Sequence, residues 1–205
     1  APASEISGVI PFCEGETITI SATSGFPSYL WNNNDTSEMV TVGEGQYIVT
    51  VTDAIGCTDT DTVTLVALSK PIANFSIDPL DHGETEQIIT FTDASVASTG
   101  SIVDWSWIFD YNLIGMATPA LALTQGPHEV VFDAQGTYNV WLDILADNGC
   151  RDTIVVDYLV IDDIIVPNVF TPNNDGMNDF LVFGNLEYQP SNHITVFDRW
   201  GRNLL

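Results

Sequence analysis

The sequence predicts an all-β protein made of tandem β-sandwiches. Segments of alternating apolar and polar residues, rich in β-branched and aromatic types, recur between turns rich in glycine, asparagine and aspartate. No stretch shows a sustained helical period with capping residues. One hairpin pattern occurs twice, about 90 residues apart, which is the size of one immunoglobulin-like sandwich. With 45% hydrophobic residues the chain has ample core material, so its acidity does not indicate disorder.

The repeated hairpin occupies residues 45–60 and 136–153. Both copies read G-x-Y-x-V, then an alternating strand, then G-C-x-D-T. The glycine that opens each copy permits a tight turn into the strand. The tyrosine two residues later, Tyr47 or Tyr138, is placed to hydrogen-bond the backbone at a sandwich corner. The pattern therefore predicts one long hairpin in each of two sandwiches.

A tryptophan-containing strand precedes each hairpin. The first reads SYLWN, in which Trp31 is expected in the core, and the second reads IVDWSWIF. In the second strand Trp105 and Trp107 lie two residues apart, so they face the same side of a sheet. We expect them to share a core-facing stripe with Val103 and Phe109. A ligand-binding platform is the alternative interpretation of the same stripe.

These patterns predict that the chain divides into three segments. The first sandwich is expected over residues 1–69, ending near Leu68 before a short linker. The second is expected over residues 70–162. A different segment, residues 163–205, begins after two consecutive aspartates.

The net charge of the chain limits the classes of molecule that it can bind. There are 28 acidic residues and four basic ones, for a formal net charge of −24. Such a surface repels phosphate, so nucleic acid and anionic lipid are poor partners. The charge would suit high salt, calcium, or an array whose modules must not adhere to one another, and solubility alone is the simpler explanation.

The three cysteines are Cys13, Cys57 and Cys150. None forms a C-x-x-C pair or lies beside a histidine, which argues against zinc. Cys13 and Cys57 bracket one sandwich-sized segment, and this predicts a disulfide between them in an oxidising compartment. Cys150 is then either buried and inert or paired outside the chain.

The chain begins at Ala1 without the charged and apolar regions of a signal peptide. We therefore expect either that a signal peptide has been removed or that this is an internal fragment of a longer protein. The longest apolar runs are too short to cross a bilayer, so no membrane span is expected.

Residues 165–205 contain two motifs that resemble a known family. The first runs P-N-V-F-T-P-N over 167–173, followed by Asp-Gly at 175–176 and Asn-Asp at 178–179, and the second is I-T-V-F-D-R-W-G over 194–201. They resemble the gliding motility-associated C-terminal domain of Bacteroidetes surface proteins, which is the type B sorting domain of the type IX secretion system. That domain usually continues beyond R-W-G, so the resemblance implies a partial β-sandwich sorting domain. The family motifs place partner-binding residues at Pro167, Asn168, Phe170, Pro172, Arg199, Trp200 and Gly201.

The upstream segments also resemble modules of such proteins. Residues 74–76, 91–95, 105–110 and 136–138 match signatures of PKD domains, although an insertion replaces the D-F-G-D-G turn. Residues 1–69 resemble the Ig-like repeats of giant Bacteroidetes adhesins, with C-x-G and G-x-Y-x-V-x-V-T-D-x-x-G-C. Together the segments resemble the C-terminal end of a SprB-like gliding adhesin.

The resemblance implies a cell-surface protein at the outer face of the outer membrane. Its implied partners are the type IX translocon and a PorP/SprF-like outer-membrane barrel protein. Strand addition to the incomplete third domain is one expected mode of binding.

One loop of the third segment is a candidate calcium site. Side-chain oxygens of Asn173, Asp175 and Asp179, with the Met177 carbonyl, alternate around a glycine turn. The bidentate glutamate that closes an EF-hand is absent. An Asx-rich turn without metal is the alternative, so calcium is a possible cofactor and no other is implied.

No catalytic residues are predicted. The acidic residues are scattered, the three histidines fall in different segments, and no serine lies in a G-x-S-x-G elbow. Arg199 and Trp200 are expected either to form a strand-end contact or to be recognised by the export machinery.

The sequence thus favours an interaction protein, with spacer sandwiches carrying a secretion and attachment signal. The alternative is the non-catalytic tail of a secreted polysaccharide- or protein-degrading enzyme. A third hypothesis is glycan binding through exposed Trp31 or Trp105.

Overall fold

The computed structural model describes residues 2–168, 171, 174–176, 180–186, 193–197 and 200–203. Within these residues the protein is all β, with fourteen strands and no α-helix, as the sequence predicts. No helix in the described part is long and apolar enough to cross a membrane.

Contacts divide the chain into two compact units. Unit 1 comprises Ala1–Ala73, Ser95–Asp104 and Ile144–Asp152, and unit 2 comprises Asn74–Ala94, Trp105–Asp143 and Thr153–Leu205. The boundaries expected after residues 69 and 162 stay predictions.

Six strands lie within residues 1–69 and form two antiparallel sheets. Their bounds are β1 (Ile6–Ser7), β2 (Ile18–Ala22), β3 (Ser28–Trp31), β4 (Met39–Val42), β5 (Gly45–Thr52) and β6 (Thr58–Leu65). One sheet has the order β1-β2-β4 and the other β3-β5-β6. Inward residues alternate with outward ones, and those of both sheets bury one core around Ile20, Trp31 and Val49. Trp31 is 1% exposed, so the hypothesis that it is an exposed glycan-binding residue is wrong.

Eight further strands form two four-stranded sheets. Their bounds are β7 (Phe75–Asp78), β8 (Ile88–Asp93), β9 (Ile102–Ile108), β10 (Ala117–Thr118), β11 (Leu121–Ala122), β12 (His128–Phe132), β13 (Gly136–Ala146) and β14 (Arg151–Val160). The orders are β10-β12-β8-β7 and β11-β9-β13-β14. An aromatic cluster fills the core of unit 2, and its members are Phe75, Phe91, Trp107, Phe109, Phe132, Tyr138 and Tyr158.

The predicted hairpin is found in the first repeat, where β5 pairs with β6 from Gly45 opposite Leu65 to Thr52 opposite Thr58. In the second repeat, β13 and β14 are neighbours in their sheet. The corner interaction is present at Tyr138, whose hydroxyl donates to the Ala134 carbonyl at 2.7 Å.

The stripe on β9 is only partly a core stripe. Trp107 and Phe109 are fully buried, but Val103 is 53% exposed and Trp105 is half-buried. The predicted alternation of burial does not hold at the start of the strand, where Val103 and its neighbour Asp104 are both exposed, and the aromatic contacts are made at the Trp107 end. The Trp105 indole N–H donates to Asp93 at 3.0 Å.

The predicted Cys13–Cys57 disulfide is wrong, because Cys13 is bonded to Cys150 and Cys57 is free and exposed. Cys13 forms a bridge with Leu68, beyond the end of β6, whereas Cys57 immediately precedes the start of β6. An eight-residue strand spans about 25 Å, and a disulfide needs Cα atoms within about 7 Å. Bracketing a segment in sequence therefore did not bring these two cysteines together.

Candidate functional site: the C-terminal segment

Polar side chains bond the segment that follows β14 to other parts of unit 2. The Asp162 carboxylate accepts bonds from the Thr85 backbone N–H at 2.8 Å and hydroxyl at 2.7 Å, and from the Gln135 amide at 3.0 Å. The same Gln135 amide donates to Asn185 Oδ1 at 3.1 Å, and Asn185 Nδ2 donates to the Asp163 carbonyl at 2.9 Å. Residues near both the start and the middle of the segment are thus bonded to one another.

A backbone bridge closes the segment between Ile165 and Gly184. Each residue donates its N–H to the carbonyl of the other at 3.0 Å. A Cβ on Gly184 would lie 3.1 Å from Ile165 Cβ, so glycine permits this close approach. A second bridge joins Phe197 and Asn203 around the R-W-G motif.

The candidate calcium loop lies inside the first bridge. Asp175 is exposed, and its neighbours Asn174 and Gly176 have φ of 62° and 85°, the left-handed geometry of an asparagine–glycine turn. The other three candidate ligands, Asn173, Met177 and Asp179, lie outside the described residues. The described residues contain no group of three or more His, Cys, Asp or Glu side chains arranged for a metal ion. Calcium binding here stays a prediction.

The described part of the segment exposes large apolar side chains. Those more than half exposed are Ile165, Val166, Phe180, Val182, Phe197 and Trp200. Covering such side chains with another protein surface would remove apolar area from water.

The sequence-predicted partner residues fall into two groups. Pro167 is half-buried, Asn168 and Gly201 are exposed, and Trp200 is 67% exposed. The remaining three, Phe170, Pro172 and Arg199, lie outside the described residues.

The Arg202 guanidinium lies 5.7 Å from the centre of the Trp200 ring. This is within cation–π distance. The sequence pattern pointed to Arg199 for this role and not to Arg202, although the position of Arg202 two residues after the tryptophan was an available signal.

The perturbed pKa values in the described residues arise from structural contacts. Burial, and then the charge of Asp78, raise the pKa of Tyr158 to about 12. Burial also raises the pKa of Tyr138. Hydrogen bonds from Ser37 lower the pKa of Asp35, and bonds from Ser4 lower that of Asp59. Each shift is explained by burial or by a turn or strand contact, so none of them indicates an acid–base pair.

Comparison with known families gives a match for the C-terminal segment. Residues 164–204 match the CHU_C Type IX secretion signal domain. This signal indicates export to the cell surface or extracellular space, and it implies interaction with the secretion system. The match covers about a fifth of the chain and concerns that segment alone. No curated protein matches the chain by sequence.

Solved structures of β-sandwich modules resemble the chain at low similarity. Carbohydrate-binding modules of the β-sandwich superfamily match with 18% identity and a TM-score of 0.41, over 53% of this chain and 41% of theirs. The PKD1 domain of the Vibrio cholerae metalloprotease PrtV matches with 22% identity and a TM-score of 0.34, over 44% and 96%. Fibronectin(III)-like modules of Clostridium thermocellum CbhA match with 14% identity and a TM-score of 0.35, over 77% and 94%.

Proposed function

We propose that this chain is the C-terminal part of a cell-surface adhesin exported by the type IX secretion system and acting in gliding motility or surface adhesion. The supporting observation is the match of residues 164–204 to the secretion signal domain. The sandwich strands that precede this segment would serve as spacers between the signal and the adhesive part of the protein.

The C-terminal segment would act as both secretion and attachment signal. Its proposed contacts are with the translocon and a PorP/SprF-like barrel protein at the outer face of the outer membrane. The residues proposed to make them are Pro167, Asn168, Phe170, Pro172, Arg199, Trp200 and Gly201. The exposure of Trp200 and of Phe180 supports this, because a partner that covered them would remove apolar surface from water.

The attachments of the segment to unit 2 support presentation of a folded signal. Asp162, Gln135 and Asn185 form a chain of hydrogen bonds between the end of β14 and the segment. A partner that reads this surface would meet side chains already positioned by the sandwich, which reduces the entropy lost on binding.

Calcium is a proposed ligand of the loop at Asp175. The acidic chain, with its formal charge of −24, favours cations near its surface. Calcium titration of the chain followed by calorimetry would test this, with Asp175→Asn as the variant and Asp157→Asn as the control. Equal calcium binding by both variants would contradict the proposal.

The secretion signal is tested in the parent protein expressed in its own cells. Removal of residues 164–205 is expected to abolish its appearance at the cell surface, as measured by protease digestion of intact cells. Unchanged surface exposure after this deletion would contradict the proposed signal.

The apolar surface is tested by a double substitution. Phe180→Ala with Trp200→Ala is expected to reduce the amount held at the surface, since it removes two side chains that are 82% and 67% exposed. The matched control is Leu80→Ala with Ile114→Ala, which removes side chains that are 75% and 85% exposed elsewhere in unit 2. Equal losses in both double variants would contradict a specific role for the segment.

The tail of a secreted degradative enzyme is the second candidate function. The parent sequence discriminates between the two, because further sandwich repeats before residue 1 favour an adhesin and a catalytic domain favours an enzyme.

A further inference from the structure

The free Cys57 and the disulfide-bonded Cys150 occupy equivalent positions in the two copies of the repeated hairpin. Both cysteines follow the hairpin glycine in G-C-x-D-T. In the first hairpin Asp53 N–H donates to the Cys57 carbonyl at 2.9 Å, and in the second Ala146 N–H donates to the Cys150 carbonyl at 2.9 Å. The preceding glycines have φ of 87° and 88°. The two turns therefore share one backbone geometry, but Cys150 is fully buried in a disulfide and Cys57 is exposed.

In both copies of the repeat, the aspartate of the G-C-x-D-T motif accepts a backbone hydrogen bond from the segment that leads into the sandwich. Two residues after Cys150, Asp152 Oδ2 accepts the Ala73 N–H at 2.8 Å. Two residues after Cys57, Asp59 Oδ2 accepts the Ser4 N–H at 2.7 Å. Ala73 and Ser4 are thus equivalent entry points, each held by the aspartate of its own G-C-x-D-T motif.

The segment before Ala73 shows how Cys150 obtains its partner. Leu68, five residues before Ala73, has its carbonyl oxygen 3.7 Å from Cys150 Sγ. Its N–H donates to the Phe12 carbonyl at 2.8 Å, and its carbonyl accepts the Glu14 N–H at 2.9 Å. Leu68 is therefore bonded to the residues on both sides of Cys13, and this holds Cys13 against Cys150. The whole arrangement lies within unit 1.

We propose that Cys57 forms a disulfide with the counterpart of Cys13 in a further sandwich that precedes residue 1 in the parent protein. By the equivalence of Ser4 and Ala73, the counterpart of Leu68 lies before Ala1 in the parent protein, and it would pass Cys57 as Leu68 passes Cys150. Ile55, 85% exposed on the same turn, would be covered by that segment. Its counterpart Asn148 already contacts the entering chain, donating to the Ser69 carbonyl at 2.9 Å.

Cys13 of a second copy of this chain does not fit as the partner, because it is already bonded to its own Cys150. The proposed partner is the equivalent cysteine of another sandwich of the same repeat type.

Formation of the bond is a two-electron oxidation. The two thiols lose two protons and two electrons and become one disulfide. The electrons reduce the disulfide of a thiol–disulfide oxidoreductase to a dithiol, by exchange through a mixed disulfide. Export to the cell surface brings the protein through a compartment where such oxidation occurs.

The test is disulfide mapping of the parent protein as its own cells secrete it. The protein is alkylated with iodoacetamide without reductant, digested and analysed by mass spectrometry. We expect the Cys57 peptide joined to a cysteine peptide from before residue 1, together with Cys13 joined to Cys150. Alkylated Cys57, Cys57 bonded to a small thiol or another protein, or a parent without a cysteine before residue 1 would overturn the proposal.

Variants of the parent provide a second measurement. Cys57→Ser is expected to make one upstream cysteine newly alkylated, and the matched control Cys150→Ser is expected to expose Cys13 instead. An alkylation pattern in Cys57→Ser identical to that of the wild type elsewhere in the chain would also overturn the proposal. This result is independent of the proposed adhesin function, because it is read from bonds and not from export or attachment.

Discussion

Cys13 and Cys150 are bonded across 137 residues of sequence, and both lie in unit 1. Their bond joins the residues just before β2 to the turn that opens β14. Leu68 lies between these cysteines in the sequence. Its backbone hydrogen-bonds to Phe12 and Glu14, the residues on either side of Cys13. Covalent and hydrogen bonds thus fix the same short segment.

Removing this disulfide is expected to destabilise the protein. A cross-link that closes a loop of this length restricts the unfolded chain and contributes about 5 kcal/mol in the chain-entropy model. The double variant Cys13→Ser with Cys150→Ser should therefore unfold at a clearly lower urea concentration. Cys57→Ser is the control, since that thiol is exposed and unbonded in this chain. Equal midpoints for the double variant and the control would contradict the expectation.

Removing the Trp107 side chain is expected to destabilise unit 2 strongly. It is fully buried against Phe75 and Phe109, and its indole N–H donates to the Thr124 carbonyl at 3.1 Å. Trp107→Ala should lower the free energy of unfolding by about 3–5 kcal/mol, as measured by chemical denaturation. Trp200→Ala, which removes a side chain that is 67% exposed, should change it by less than about 0.5 kcal/mol. Similar losses for both would show that the core is misassigned.

Much of this fold could be predicted because the sequence patterns that determine it involve residues close to one another in the chain. The alternation of β5, the G-C turn of each hairpin and the buried positions of Trp31 and Trp107 depend on residues close in sequence. Strand period and turn chemistry are set within a few residues, so they are readable without coordinates.

The features that were missed depend on distant contacts. Choosing between Cys57 and Cys150 as the partner of Cys13 required knowing which strand ends meet, and neither spacing nor composition contains that information. The exposure of Val103 similarly depends on how far the core extends beneath β9. At the candidate site, motif residues were placed by resemblance, but the Arg202–Trp200 contact required coordinates.

Ionisation of Tyr158 is expected to lower the stability of the fold at alkaline pH. Burial raises its pKa to about 12, and its hydroxyl donates to the Pro79 carbonyl at 2.7 Å. A tyrosine whose folded pKa exceeds its unfolded value of 10.0 stabilises the fold fully below that value and loses the contribution as pH rises towards the folded pKa. Stability should therefore fall between about pH 10 and 12, and Tyr158→Phe should remove part of that fall.

The Tyr158 prediction has two measurements. Ultraviolet titration of the phenols should lose its last-ionising component in Tyr158→Phe. At neutral pH the variant should also lose about 1 kcal/mol, because the Pro79 carbonyl loses its donor. Tyr111→Phe, which alters a side chain that is 54% exposed, is the control for this loss. An unchanged titration curve in Tyr158→Phe would contradict the assignment.

Protonation of Asp59 is expected to lower the stability of the fold at acidic pH. The Ser4 backbone N–H, and then the Ser4 hydroxyl, donate to its carboxylate and hold its pKa below the usual 3.8. A carboxylate with a lowered folded pKa stabilises the fold above its unfolded pKa, and the contribution is lost as pH falls through the folded value. The wild type should therefore be more stable than Asp59→Asn at pH 7, and the difference should shrink below about pH 4.

Urea unfolding across this pH range measures the difference between the two proteins. Ser4→Ala should have a smaller effect than Asp59→Asn at pH 7, because it removes the hydroxyl bond and keeps the backbone bond. A stability gap between wild type and Asp59→Asn that persists undiminished at pH 2 would show that the substitution acts through packing and not through the charge of the carboxylate. Equal stability of the two at pH 7 would show that the Ser4 contacts do not hold the chain at its entry into the first hairpin's sheet.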